Sequence, residues 1–275
     1  MDYLFQSNKT INMHTPVLLN EVIEGLRVHP AGRYVDGTYG EGGHAQAIAA
    51  KGGNVLGIDL DEGQVTKSKN GSIKVVQGNY ADIATIAQKE GFLAVDGVLL
   101  DFGLSMEQLS HSKRGFSYKH GEELLDMRID GVSADLCAAD IVNKYSRQEL
   151  TDMFSRNAEQ LGGNTIANVL KSGGKVKTVA DVVDRLGSEN ESTLKRVFQA
   201  LRIEVNHEFE NIKAGIEGAY EITKEGGRIA IISFHSVEDR IVKQWARQKG
   251  LKEIMKQKGG IHAFERSAVL RIYQK

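Results

Sequence analysis

The 275-residue sequence holds one cysteine and two prolines, and no run of apolar residues approaches the length of a membrane span. A lone cysteine, Cys137, excludes an internal disulfide framework and reads as a small buried residue in a reducing compartment. Residues 1–9 lack a basic segment followed by an apolar one, so a soluble, cytoplasmic protein with no membrane partner is expected. Charge of one sign is missing as well: the net charge is −1, and nothing global announces a polyanion. Its distribution is uneven, because residues 243–275 carry nine Lys and Arg against Glu253 and Glu265, about +7 against about −8 for the rest. Such a tail can contact phosphates, although a solvated helix face is the commoner origin of a lysine-rich run. Of the eight histidines, those at 14, 44, 235 and 262 have no short ligand spacing, so no metal site is read from them.

What the chain does have is a run of glycines at a strand-to-helix junction. In Tyr34-Val35-Asp36-Gly37-Thr38-Tyr39-Gly40-Glu41-Gly42-Gly43-His44 an apolar run stops and a helical pattern of Ala45, Ile48 and Ala49 begins. Glycines there let a ligand approach the backbone, and the free N–H groups of a helix start favour an electron-rich group. Gly40 to Ala45 also satisfies the dinucleotide pattern G-x-G-x-x-A, with the acid Asp59 about twenty residues on.

Strands are expected at 33–38, 54–60, 73–77 and 95–102, with helices after the first two and at 83–89. Alternating strands and helices give an α/β, Rossmann-like parallel sheet with ligands at the carboxyl ends of its strands. Asp36 to His44, Asp59 to Asp61, Gly78-Asn79-Tyr80 and Asp101-Phe102-Gly103 all fall at such ends. From about 105 to 206 only helical patterns occur, with start signals at Ser133, Ser146 and Thr178 and a long amphipathic run at 192–202. Helix 208–223, strand 228–234, helix 237–248 and strand 268–273 then resume the sheet. The expected organisation is a first part of the sheet domain at 10–105, an all-helical insertion at 106–206 and a second part of the sheet domain at 207–275.

Asp36 and Glu41 bracket the glycines, and two carboxylates repel a pyrophosphate. They suit S-adenosylmethionine, whose ammonium Asp36 can hold while Asp59 accepts from the ribose hydroxyls. Tyr80 is placed against the adenine, and Asp101 lies in the middle of the mouth. A redox enzyme using NAD(P) stays open through the literal glycine pattern, as does an RNA-binding assembly factor without turnover.

Seven segments set the pattern in order: His14-Thr15-Pro16-Val17-Leu18, Asp36 to His44, Leu100-Asp101-Phe102-Gly103-Leu104-Ser105, Arg114-Gly115-Phe116-Ser117, Leu125-Asp126-Met127-Arg128, residues 198–206 (FQALRIEVN) and residues 232–243 (ISFHSVEDRIVK). Together they resemble the MraW (RsmH) family of class I S-adenosylmethionine-dependent methyltransferases. The resemblance implies methyl transfer to the exocyclic N4 of a cytidine in the decoding region of bacterial 16S rRNA, with the rRNA or the small ribosomal subunit as partner. It implies cofactor contacts at Gly42, Gly43, His44, Asp59, Tyr80, Asp101 and Gln108, beside Asp36 and Gly40 from the loop, and an inserted module that helps recognise RNA. Asp101, or a backbone carbonyl near Phe102, is expected to accept an N4 hydrogen, with Phe102 stacking on an extruded base. Met106-Glu107, Glu122-Glu123, residues 157–164 and the short 249–267 segment depart from the family's pattern, which bears on RNA contacts rather than on reaction class.

Overall fold

The computed structural model describes residues 16–68, 73–103, 113–130, 136–158, 162–188, 190–259 and 266–275. A seven-stranded sheet runs in the order β3-β2-β1-β4-β5-β7-β6. Its strands are β1 (Arg33–Asp36), β2 (Asn54–Asp59), β3 (Lys74–Gln77), β4 (Val95–Asp101), β5 (Thr223–Ser233), β6 (Lys252–Lys258) and β7 (Val269–Gln274). β1 to β5 are parallel, whereas β7 runs antiparallel to β5, and β6 antiparallel to β7. Because β1 is flanked by β2 and β4, the strand order reverses there, and a crevice opens beyond the carboxyl ends of β1 and β4.

The strands alternate with period two, which sends neighbouring residues to opposite faces. Tyr34, Val55, Leu99, Ala230, Ile232, Leu270 and Ile272 pack beneath α1 (Leu19–Gly25) and α2 (Gly43–Ala50). Val35, Leu56, Ile58, Val98, Leu100, Ile229 and Ile231 face the other way, with α4 (Ile83–Lys89) and two later helices. α3 (Glu62–Ser68) follows β2. The chain then builds α5 (Ala138–Lys144), α6 (Arg147–Asn157), α7 (Gly163–Lys171), α8 (Val179–Leu186) and α9 (Glu191–Val205) before α10 (Glu208–Ile222) returns it to the sheet and α11 (Ser236–Gln248) follows β5.

α5 to α9 have an apolar core of their own, with Phe116, Leu125 and Met127 closing one side of Phe154, Leu170, Val182 and Leu201. Ser146 and Thr178 each complete a reciprocal capping box, with Glu149 and Asp181, so these two start signals work as expected. The Ser133 signal lies outside the described residues, and α7 had no signal read for it. Glu123, one of the departures from the family pattern, accepts the Gly115 N–H at 2.9 Å and so serves the local loop.

The lysine-rich run at the end differs from the helix face that composition favours. Lys252–Lys258 is an edge strand, where exposed lysines are compatible with a sheet that has one open side. No helix among the described residues is long and apolar enough to cross a membrane.

Candidate active site

A cavity of about 360 Å³ lies at the switch point, between the β1–α2 loop, the ends of β2 and β4, and the start of α10. It is built first by backbone. Gly42 caps α2 at φ 79°, and a Cβ there would lie 2.4 Å from the Tyr39 hydroxyl, so the turn requires glycine. Gly43 opens the helix with no room for a side chain, since a Cβ would meet Pro16 at 2.2 Å. The Asp59 carboxylate fixes the loop from the next strand: Oδ2 accepts the Gly40 N–H at 2.6 Å and Oδ1 accepts the Asp61 N–H at 2.8 Å. Burial raises the Asp59 pKa against these hydrogen bonds, which work to lower it.

Gly40, Gly43, His44, Asp59, Tyr80 and Asp101 all border the cavity. Asp36 does not: it is 1% exposed, stands behind the wall, and its Oδ1 accepts the Thr38 N–H at 3.2 Å. Burial pushes its pKa to about 7, with the Asp101 and Asp59 charges adding to the rise. Gly42 likewise acts by shaping the turn, while Gln108 lies outside the described residues.

Asp101 ends β4 with its N–H donated to Thr38 Oγ1 at 2.7 Å and its Oδ1 accepting the Gly103 N–H at 3.1 Å. Burial, reinforced by the Glu238 charge and opposed by the Gly103 N–H, places its pKa at about 6. The His44 ring is buried with neither nitrogen hydrogen-bonded among the described residues, and burial lowers its pKa to about 4. A neutral imidazole with an unused N–H and an unused lone pair therefore stands in the wall. On the opposite side the Tyr80 ring lies 5.7 Å from that of Phe102, tilted by 36°, and packs against Gly215 of α10, where a Cβ would come within 2.5 Å.

The wall continues with groups to which the sequence assigns no role. Arg202 of α9 forks onto Glu208 of α10, with Nε–Oε1 at 2.7 Å and Nη2–Oε2 at 2.9 Å. Glu238, 1% exposed in the first turn of α11, accepts the Phe234 N–H at 2.7 Å through Oε2 and has Oε1 2.9 Å from His235 Nε2. Arg202 and Glu238 sit inside the quoted runs at 198–206 and 232–243, which is the only sequence signal for them. Glu208 and Asn211 carry none, because their place depends on how α10 returns to the sheet.

Two clasps bring the segment before α5 to the cavity. Arg114 reaches Asp61 at 3.2 Å while donating to the carbonyls of Arg128 and Ile129 at 2.9 and 2.5 Å. Asn206 Oδ1 accepts the Ile129 N–H at 2.9 Å and its Nδ2 donates to the Met127 carbonyl at 2.8 Å. Arg128 pairs locally with Asp126, at 2.8 Å through Nε and 2.7 Å through Nη2, so the bracing across to the sheet belongs to Arg114. Ile129 borders the cavity as a result.

Chemically, the cavity joins acceptor carboxylates to exposed loop backbone and an imidazole, and its one lining cation among the described residues, Arg202, is already neutralised by Glu208. That donor set fits a ligand with hydroxyls and positive charge better than a pyrophosphate.

The family model described as the MraW methylase family matches residues 11–272. The chain is similar to the Ribosomal RNA small subunit methyltransferase H of Thermomicrobium roseum, with 39% identity over 254 residues, covering 86% of this chain and 77% of that one. The protein of the same name from Dehalococcoides mccartyi is 38% identical, over 86% of this chain and 71% of that one. The one from Ruminiclostridium cellulolyticum is 39% identical, over 84% and 80%. With the match running through both halves of the sheet and the helices between them, the chain belongs to the MraW methylase family.

Proposed function

We propose that the cavity binds S-adenosylmethionine and that the chain methylates the exocyclic N4 of a cytidine in the 16S rRNA of the small ribosomal subunit. The observation that carries this reading is the carboxylate-lined cavity at the switch point of a chain in a methylase family whose relatives are named for small-subunit rRNA. When bound, S-adenosylmethionine supplies an electrophilic methyl group on a sulfonium.

The chain's own residues then do the positioning. Asp59 keeps lone pairs free for a ribose diol while it holds the loop through Gly40. His44, neutral and without a hydrogen-bond partner among the described residues, hydrogen-bonds a polar group of the cofactor. The N4 amine is a poor nucleophile because its lone pair is delocalised into the ring, so orientation and hydrogen bonding are the main levers. Asp101 accepts one N4 hydrogen, aligns the remaining lone pair, and is placed to take the proton that the amine loses. Phe102, beside Tyr80, offers the base a stacking surface at the mouth. Residues 106–206, with their separate core, form the module that grips the RNA around the target.

Ligand-dependent thermal stabilisation tests the cofactor. S-adenosylmethionine at a hundredfold excess over Kd should stabilise by about 2.7 kcal/mol, and NAD or NADP should not. Stabilisation by the dinucleotide alone overturns the reading in favour of redox chemistry.

A further inference from the structure

Several cations of the C-terminal region lie on one side of the sheet. Arg271 of β7 locates that side: its Nε lies 2.6 Å and its Nη2 3.2 Å from the Asp239 carboxylate of α11, and its Nη1 pairs with Glu253 of β6. α11 therefore covers the face of the sheet on which Arg271 stands. Lys256 is the cross-strand partner of Arg271 and shares that face, as does Lys258 two residues on, opposite Val269. On α11 itself Arg240, Lys243 and Arg247 follow the spacing i, i+3, i+7 and are all exposed, while Val242, Trp245 and Ala246 turn inward.

The acids in this patch are already used. Arg271, 6% exposed, takes up both Asp239 and Glu253, and Lys243 adds a contact to Asp239 at 3.1 Å. No carboxylate among the described residues pairs with Arg247, Lys256 or Lys258. The surface thus presents cations outward with its carboxylates tucked beneath them.

Its position relates it to the cavity. Lys258 is in register with Val269, and Val269 with Ser233, the last residue of β5 before Phe234 enters the cavity wall. Two strand spacings, about 10 Å, separate the Lys258 backbone from that of Ser233. The first turn of α11 contributes Glu238 to the same wall, so the helix carrying Lys243 and Arg247 starts at the mouth.

We infer that the basic face formed by α11 and β6 is a docking surface for the phosphate backbone of RNA flanking the methylated nucleotide. The inference rests on the proposed function for the identity of the RNA. Spacing and net charge suit a backbone track, since lysines contact phosphates without reading bases, and the target base is left to the cavity.

The test is the triple variant Arg247→Gln, Lys256→Gln, Lys258→Gln, all exposed and none in the cavity wall. Binding is measured by salt titration against small ribosomal subunits from cells that lack the methyl mark. Loss of three phosphate contacts should lower affinity at least tenfold and reduce the log–log salt slope by about 2. The thermal midpoint and S-adenosylmethionine affinity should be unchanged, and a control pair elsewhere, Lys51→Gln with Lys89→Gln, should change subunit affinity less than twofold. Unchanged subunit affinity and slope in the triple variant overturn the proposal. So does a variant that keeps its RNA affinity but self-associates, because the lysines then serve only to guard an edge strand. If the triple variant loses subunit affinity and slope as expected while the wild-type chain methylates no rRNA, the proposed function is contradicted and the docking surface stands.

Discussion

His44 Nε2 stands 3.9 Å from Asp101 Oδ2, too far for a hydrogen bond. Burial lowers the imidazole to about 4 and raises the carboxyl to about 6, so near neutral pH a neutral ring faces a carboxylate. The pH profile of kcat/KM for methyl transfer should therefore rise through an apparent pKa near 6 as Asp101 loses its proton. Asp101→Asn should remove that limb and slow transfer by about 10²–10⁴. Full transfer by the Asn variant with unchanged cofactor affinity contradicts the role given to Asp101.

Asp36 makes a stability prediction of a different kind. Its pKa is about 7 in the folded chain against an ordinary value of 3.8, so the folded state binds more protons between those values. Stability should then fall as pH rises from about 4 to about 7 and remain at the lower level above. Asp36→Asn keeps an acceptor for the Thr38 N–H and removes the buried charge. Urea unfolding should show the variant more stable at pH 8, by at most about 4 kcal/mol, with the gain vanishing toward pH 4. Because the side chain lies behind the cavity wall, S-adenosylmethionine affinity should change less than threefold. A tenfold loss would restore Asp36 as a direct partner of the cofactor ammonium.

Gly42 tests the loop. Gly42→Ala places a side chain at φ 79° and against the Tyr39 hydroxyl. Backbone strain of about 1–2 kcal/mol should appear in chemical unfolding, and displacement of Tyr39 should weaken S-adenosylmethionine at least tenfold by calorimetry. Wild-type affinity in a folded variant is the contrary result.

Asn206→Ala removes the two bonds that Asn206 makes to the 127–129 segment, leaving the Ile129 N–H and Met127 carbonyl without that partner while Arg114 still holds the segment. About 1–3 kcal/mol of stability should be lost. Ile129 borders the cavity, so the KM for rRNA should rise more than that for S-adenosylmethionine. Equal effects on the two would assign Asn206 to general stability alone.

Much of this frame was legible in the sequence. β1, β2, β3 and β4 are short apolar runs ending in Asp36, Asp59, Gln77 and Asp101, and their order forces the mouth to one end of the sheet. Helix starts at Ser146 and Thr178 were readable because capping is local chemistry. β6 was not, since Lys252 to Lys258 carries charge where a strand pattern would show apolar residues, and only pairing with β7 makes it a strand. Asp59 and Asp101, at strand ends, and Tyr80, three residues past one, were read from the sequence and border the cavity. Asp36 is buried and bonded to the Thr38 N–H outside the cavity lining, and a strand-end acid looks the same in sequence whether it faces a ligand or the loop's own N–H groups. Arg202, Glu208 and Glu238 meet through a long-range return of α9, α10 and α11 to one wall, which no local pattern encodes.

The central claim is tested most directly by mass mapping of 16S rRNA after incubating purified protein and S-adenosylmethionine with unmethylated small ribosomal subunits. The account predicts one added methyl group, on the N4 of a single cytidine of the decoding region, absent when Asp101→Asn replaces the wild type. A wild-type protein that binds S-adenosylmethionine yet leaves every cytidine unmodified, or that places the methyl elsewhere than on N4, contradicts it.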